Sequence, residues 1–546
     1  MMKGRQPVED EILQAHRASF DRLVSVVQLR LDRRQFDDAA ALARVAANFA
    51  WMHHPGCFTS PELEAVIRAL GAVISGDTTS ENGMLLGSLP PQRILHVFTE
   101  ALEVGGHTRL ATRWIQLDSN RVHCVVTTRQ RGDIPTELRT AVEASGGSVS
   151  AVRDDRSPLA AASSLAVLAE DYDAVVLNVH PFDVVPSIAF ASRRPRPKVL
   201  FVNHADHVFW LGTSVADLVI CLRQSGHMIA RTRRGIEESR LVDLPLPLVL
   251  RQRTMNITDA KQALLIAPDH VVLLSVASEY KFETRKPPGF LDLVVPVVEQ
   301  KMSTTLLAVG PTNSGPWNKA NKLTAGRVRP LGVLRDPAPY REAADIYLDS
   351  TPLASVTSLL ESAALATPCL AYIGGREPGS PSISDPPLVV DSILRAQDPA
   401  EYQRLLLRLI SEPEFRAEVG AGLASQVREA HSPDRWIARL EKVYEQLGSV
   451  DRVEPPAEVT TPPLMATDVD REIVSLAWDR HGPLAVARTL GSFPGELRSL
   501  RGRALFGGTL LLGRALLARS PLPVRRLKNS SIPPRWWPVS DRFLVR

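Results

Sequence analysis

At 546 residues the chain is too long for one hydrophobic core, and an allowance of about 100 to 200 residues per domain points to three or four units. Its aliphatic-rich, aromatic-poor composition fits α/β layers better than a β-sandwich. The formal charge of +4 is small for this size but uneven: the last fifty residues set eleven Arg and Lys, from Arg498 to Arg546, against Asp541 alone, a local excess of about +10. Cys57, Cys124, Cys221 and Cys369 form no CxxC pair, which excludes a disulfide framework and a structural zinc site. No apolar h-region opens the chain and no apolar run reaches the roughly 18 residues needed to span a bilayer. A cytoplasmic setting is therefore expected.

In chain order, residues 9–52 show helical spacing broken at Asp32 to Phe36, which predicts a helical hairpin. A further helix is predicted over Pro61 to Val73, with Ser60 as its cap. From Ile94 the pattern changes to short β-branched runs alternating with helical segments: 94–98, 122–128, 174–179, 198–203 and 217–222. Such runs indicate a parallel sheet covered on both faces. The proline-rich stretch 244–253 interrupts them, and a second series follows at 271–277, 304–310, 345–349 and 368–372. Two tandem Rossmann-like, doubly wound α/β domains are the economical reading. The expected organisation is a helical extension (1–90), a first domain (91–250), a second (251–449, closed by helices over 400–447) and a proline-rich linker with a basic tail (450–546).

In open parallel sheets, ligands bind beyond the C-terminal ends of the strands, where helix N-termini present free N–H groups. After the first run come Gly105, Gly106 and His107, either a tight turn or a place where backbone approaches a phosphate or sugar. GxGxxG is absent, so a dinucleotide fingerprint is not present. His180 follows the third run, and His204, Asp206 and His207 follow the fourth. Three strand ends thus deliver histidines to one edge of one sheet, where an imidazole can deprotonate a hydroxyl and Asp206 can orient it or act as the base. In the second series, Lys281 and Arg285 follow a strand end and can offset charge on a departing diphosphate. The segment 344–372 holds a strand, a turn and a helix opening near Ser355, with Thr357 and Ser358 in its first turn and Glu361 one turn beyond. Hydroxyls and N–H groups there can hold phosphate oxygens, and Glu361 can reach an attached ribose.

With these residues in view, the chain resembles the GT-B glycosyltransferases over about residues 91–448. Pro352 to Glu361 is similar to the donor-binding stretch of the O-linked N-acetylglucosamine transferase group, with Thr357, Ser358 and Glu361 filling its hydroxyl and acid places. It also resembles family-4-like transferases. The first of that motif's two glutamates would fall on Leu353, a departure that leaves its sugar contacts, and the choice between retaining and inverting stereochemistry, open. The resemblance implies a nucleoside-diphosphate sugar held mainly by the second domain, at Lys281, Arg285, Ser355, Thr357, Ser358 and Glu361. The base is expected to rest near Gly310 and Leu331–Gly332, and Gly105 and Gly106 are expected to contribute from the first domain. The acceptor, a glycan, lipid-linked precursor or protein, would lie on the first domain. A nucleotide-sugar epimerase or a non-catalytic GT-B scaffold is the other class in play.

Asp171-Tyr172-Asp173 precedes its strand and Asp468-Val469-Asp470 lies in a linker or helix start, so neither is placed as a metal-holding DxD. No metal and no other cofactor are expected. The tail 498–546, with apolar 504–518 between arginines and Trp536-Trp537 nearby, either rests on an anionic membrane surface at the inner face or packs on the protein. Its scattered arginines form no nucleic-acid recognition module.

Overall fold

The computed structural model describes residues 8–75, 90–103, 106–152, 157–192, 196–284, 287–376, 380, 382–453 and 464–477. Two parallel sheets form its centre. The first comprises β1 (Arg93–Phe98), β2 (Val122–Thr127), β3 (Val149–Ala151), β4 (Ala174–Asn178), β5 (Lys198–Asn203), β6 (Leu218–Cys221) and β7 (Leu241–Asp243), in the order β3-β2-β1-β4-β5-β6-β7. The second comprises β8 (Val271–Val276), β9 (Thr304–Val309), β10 (Val328–Gly332), β11 (Ile346–Leu348), β12 (Cys369–Tyr372) and β13 (Leu394–Ala396), in the order β10-β9-β8-β11-β12-β13. Both are doubly wound, and the order reverses between β1 and β4 and between β8 and β11. Those two reversals open the crevices in which such sheets bind ligands.

Every strand expected from the sequence is present. β3, β7, β10 and β13 are additional, and all four are sheet edges. An edge strand needs no continuous apolar run: β3 leaves Ser150 and Ala151 exposed, and β10 tolerates Pro330 because it lies at the sheet edge beside β9.

Helices Pro399–Ser411 and Pro413–His431 cover the second sheet, burying Leu406 and Leu409 on one face and Leu423 and Val427 on the other. Helix Pro433–Ser449 departs from the expected boundary at 449. Its stripe Trp436, Leu440, Val443, Tyr444 and Leu447 packs with Ile94, Trp114, Leu200 and Ile220, the core of the first sheet. The 3.6-residue period that predicts a buried face does not say which sheet buries it. Polar contacts fix the choice. Trp114 Nε1 donates to Tyr444 Oη at 3.0 Å, Tyr444 Oη donates to Asp118 at 2.8 Å, and Arg121 forks onto Glu441 at 2.7 and 2.6 Å.

The N-terminal helices Val8–Asp32, Phe36–Met52 and Pro61–Ser75 match the sequence reading. The third docks on the first domain through buried Glu64, which accepts from the N–H groups of Gly212, Thr213 and Ser214 at 2.8 to 3.3 Å. The helix Asp468–Ala477 returns to the same extension, where Asp470 meets His54 at 2.8 Å and Arg233 at 2.9 Å. No helix among the described residues is long and apolar enough to cross a membrane. The tail 498–546 lies outside the described residues.

Burial makes this fold acid-sensitive. It lowers His16 and His431 from 6.5 to about 4, so both are neutral in the folded chain at neutral pH. Between those values the unfolded chain binds protons that the folded chain does not, so stability is full above pH 6.5 and is lost as pH falls toward 4. Thermal unfolding is expected at a lower temperature at pH 5 than at pH 7. His431→Gln should reduce that difference.

Candidate active site at the facing strand ends

At the crevice of the first sheet, Asp183 ties three strand ends together. One of its oxygens accepts from Thr99, after β1, at 2.7 Å and from Thr128, after β2, at 2.6 Å. The other caps the helix that follows β4, accepting from Val185 N at 3.0 Å, while Thr99 Oγ1 accepts from the His180 N–H at 2.8 Å. This frame brings the predicted histidines together. The His107 ring stacks on His204 with centroids 5.3 Å apart and meets His180 edge-on at 5.9 Å.

The hydrogen bonds assign proton-accepting nitrogens. His107 Nε2 is 3.1 Å from Glu100 O and must donate to it, leaving Nδ1 with its lone pair. His204 Nδ1 is 3.2 Å from Val202 O, leaving Nε2. Burial lowers all three rings, and repulsion from His107 adds to it, taking His180 to about 4 and His204 to about 3. The cluster is therefore neutral at physiological pH, and His107 Nδ1 and His204 Nε2 each keep a lone pair.

Asp206 is built differently from a base. Arg223 holds its two oxygens at 2.8 and 2.6 Å, and His207 Nδ1 lies 3.1 Å from one of them. Burial works to raise Asp206, but Arg223 and His207 outweigh it and keep it ionised well below the usual carboxylate range. Asp206 thus orients Arg223, and His207 stands outside the ring cluster with its side chain 46% exposed.

At the crevice of the second sheet, the loops after β8 and β11 bond to each other. Lys281 Nζ donates to Ala354 O at 2.8 Å, and Leu353 N donates to Lys281 O at 3.3 Å. Burial lowers the Lys281 ammonium, with Asp349 opposing and Arg223 of the first domain adding to the shift. Asp349 organises the loop: one of its oxygens accepts from the N–H groups of Ser350 and Ser355 at 2.9 and 2.8 Å and from the Ser355 hydroxyl at 2.7 Å. Ser355 also lies 2.7 Å from Tyr347 Oη. Its hydroxyl is turned inward, so Ser355 builds the loop and is not available to phosphate as the sequence reading expects.

Thr357 and Ser358 open the helix Thr357–Ala363, and among the described residues their hydroxyls have no hydrogen-bond partner. Gly310 and Gly332 join the neighbouring wall: Gly310 N donates to Gly332 O at 2.7 Å and Gly332 N to Pro311 O at 2.8 Å. Gly310 sits at φ +115°, where a Cβ would lie 1.8 Å from Ala277 O, so only glycine fits against the turn leading to Lys281. Leu331 packs beside them on the second sheet's core. Gly106 opens its helix with open space where a Cβ would be. Gly105 and Arg285 lie outside the described residues.

Several site residues escape sequence reading. Among them are Arg341, which holds the predicted Glu361 at 2.7 Å, and Arg113 of the first domain, which meets it at 3.5 Å. Asp385 crosses between the domains to accept from Ser225 N at 2.6 Å and Oγ at 3.1 Å. An acid closing a strand before a Ser-Thr-Pro turn was a local signal for Asp349; the others depend on partners far along the chain. Neither DxD sequence faces a crevice. Asp173 accepts from the N–H groups of Gln92 and Arg93, both at 2.8 Å, at the opposite end of β1, and Asp470 is paired with His54 and Arg233. Cys221, His227 and Asp243 come together at the sheet edge, where both His227 nitrogens are engaged, by Asp243 at 2.8 Å and Glu238 at 3.0 Å.

No protein-family model matches the chain, and no curated protein matches it. Solved structures do. HepE of Anabaena, in complex with UDP, aligns with a TM-score of 0.50 and 15% identity, over 66% of this chain and 100% of that one. A glycosyltransferase from Rickettsia africae gives a TM-score of 0.50 and 11% identity, over 66% and 99%. A mutant O-GlcNAc transferase from Thermobaculum terrenum gives 0.48 and 15%, over 80% and 82%. At such identities the first two likenesses establish the fold alone. The chain has the GT-B fold.

Proposed function

We propose that this protein is a glycosyltransferase that moves a sugar, of hexosyl type, from a nucleoside-diphosphate sugar to a glycan, lipid-linked or protein acceptor. The observation that carries the reading is the pairing of two unlike crevices. One presents three neutral imidazoles. The other presents Lys281 bonded into a loop that opens on the N-terminal turn of the helix bearing Thr357, Ser358 and Glu361. The complex of HepE with UDP is in keeping with a nucleotide at the second.

In this reading the acceptor oxygen attacks the anomeric carbon and its proton passes to an imidazole of the first crevice. The bond from that carbon to the diphosphate oxygen breaks, and the electron pair leaves with the diphosphate. Lys281 and the hydroxyls of Thr357 and Ser358 stabilise the departing charge without a metal ion. Glu361 accepts from the ribose, and Gly310, Leu331 and Gly332 flank the base. The reaction takes place on the cytoplasmic side, with the basic tail 498–546 resting on anionic lipid.

Release of free nucleoside diphosphate from UDP-, GDP- and ADP-sugars, measured with and without an extract of cell-envelope acceptors, tests the reading. Release that depends on the extract supports transfer. Turnover that is complete without acceptor would instead favour an epimerase, and absence of turnover a scaffold.

A further inference from the structure

Glu361 is a donor-site acid that both domains hold. Its Oε2 lies 2.7 Å from Arg341 Nη2, on helix Ala338–Ala343 of the same domain. Its Oε1 lies 3.5 Å from Arg113 Nη2, on helix Gly106–Leu117 of the first domain, which also carries His107 in its first turn. Arg113 uses its other terminal nitrogen to donate to Pro247 O at 3.1 Å, in the connection between the two sheets. The two arginines differ in their hold. Arg341 is at full ion-pair distance, whereas Arg113 stands at the limit of a hydrogen bond and is tied to the connecting segment as well.

We propose that the Arg113–Glu361 contact is a latch which the donor ribose displaces, so that occupation of the donor site releases the helix carrying His107 from the second domain. This rests on the assignment of Glu361 to the ribose. A ribose diol offers two O–H donors to one carboxylate, and only the oxygen facing Arg113 is weakly held; Arg341 keeps the other and fixes the orientation. The pair is well but not wholly shielded, with side chains 16% and 20% exposed. Breaking it therefore reduces donor affinity by a modest factor, roughly threefold to tenfold. The converse follows by linkage: whatever strengthens the contact between the domains at this point weakens the nucleotide, and the nucleotide loosens the contact.

The test uses the full chain and three probes, UDP, GDP and ADP, each beside its 2′,3′-dideoxy analogue, with dissociation constants from calorimetry. Arg113→Met, which keeps the apolar stem packed, is expected to bind the tightest of the three nucleotides about threefold to tenfold more strongly than the wild type. Its affinity for the dideoxy analogue should be unchanged, since no diol competes. Arg113→Lys, retaining charge on a shorter reach, should fall between. Equal or weaker binding of the ribose form by Arg113→Met would overturn the latch. Glu361→Gln separates the two ideas. If it narrows the preference for the ribose over the dideoxy form while Arg113→Met has no effect, the ribose site stands and the latch falls. If Glu361→Gln leaves that preference unaltered, the ribose assignment and the latch both fall.

Discussion

Replacing Lys281 with alanine is expected to lower sugar transfer by about 10²- to 10³-fold, the usual cost of deleting one fixed charge-stabilising donor from a shielded site. The expectation follows from how the ammonium is held. It is half-buried between the loops after β8 and β11, donates to Ala354 O at 2.8 Å and lies within reach of the charges of both Asp349 and Arg223. A cation fixed there before the reaction meets the charge that develops on the leaving diphosphate without having to reorganise. The loop survives the change because Asp349 grips the Ser350 and Ser355 N–H groups independently of Lys281. The variant should therefore unfold near the wild-type temperature while its turnover collapses. Lys281→Arg, which restores charge with a different shape, should recover part of it. Single-turnover rates at saturating donor check this, and a loss below about threefold would remove Lys281 from the reaction.

The second large effect is on stability. Trp436→Ala is expected to cost about 3 to 5 kcal/mol, the range for truncating a fully buried large aromatic. Trp436 is 0% exposed, meets Trp114 edge-on with centroids 5.9 Å apart, and donates from Nε1 to Pro245 O at 2.8 Å. Its removal empties a site in the first sheet's core and also leaves a buried carbonyl of the connecting segment unpaired. The returning helix is thus a strap that holds the connection and the first sheet together. Urea unfolding of the variant should show a lower midpoint, and a loss under about 1 kcal/mol would mean that the helix contributes little to the first domain.

What the sequence revealed and what it hid divide along physical lines. Central strands such as 94–98 and 271–276 are buried on both faces and write themselves as apolar runs. The edges β3 and β10 bury one side or less and left no such trace. His107, His180 and His204 were legible as a group because each follows a strand, and parallel strands end on one side. Glu361 was legible by its place one turn into a helix. Arg113 was not, because it lies 248 residues away and only the apposition of the two domains brings it near. Ser355 and Asp206 show the limit of residue-type reasoning: a hydroxyl and a carboxylate in the right loops, both consumed by neighbours, Asp349 in one case and Arg223 in the other.

The central claim is that the strand ends of the second sheet hold a nucleoside diphosphate. Thermal unfolding of the wild type, Lys281→Ala and Glu361→Ala against UDP, GDP, ADP and CDP tests it most directly, because a ligand that binds only the folded chain stabilises it by about 2.7 kcal/mol at a hundredfold excess over its dissociation constant. The account predicts that at least one nucleotide raises the wild-type unfolding temperature and that both variants lose most of that rise. No shift with any of the four at millimolar concentration, or equal shifts in all three proteins, would contradict it.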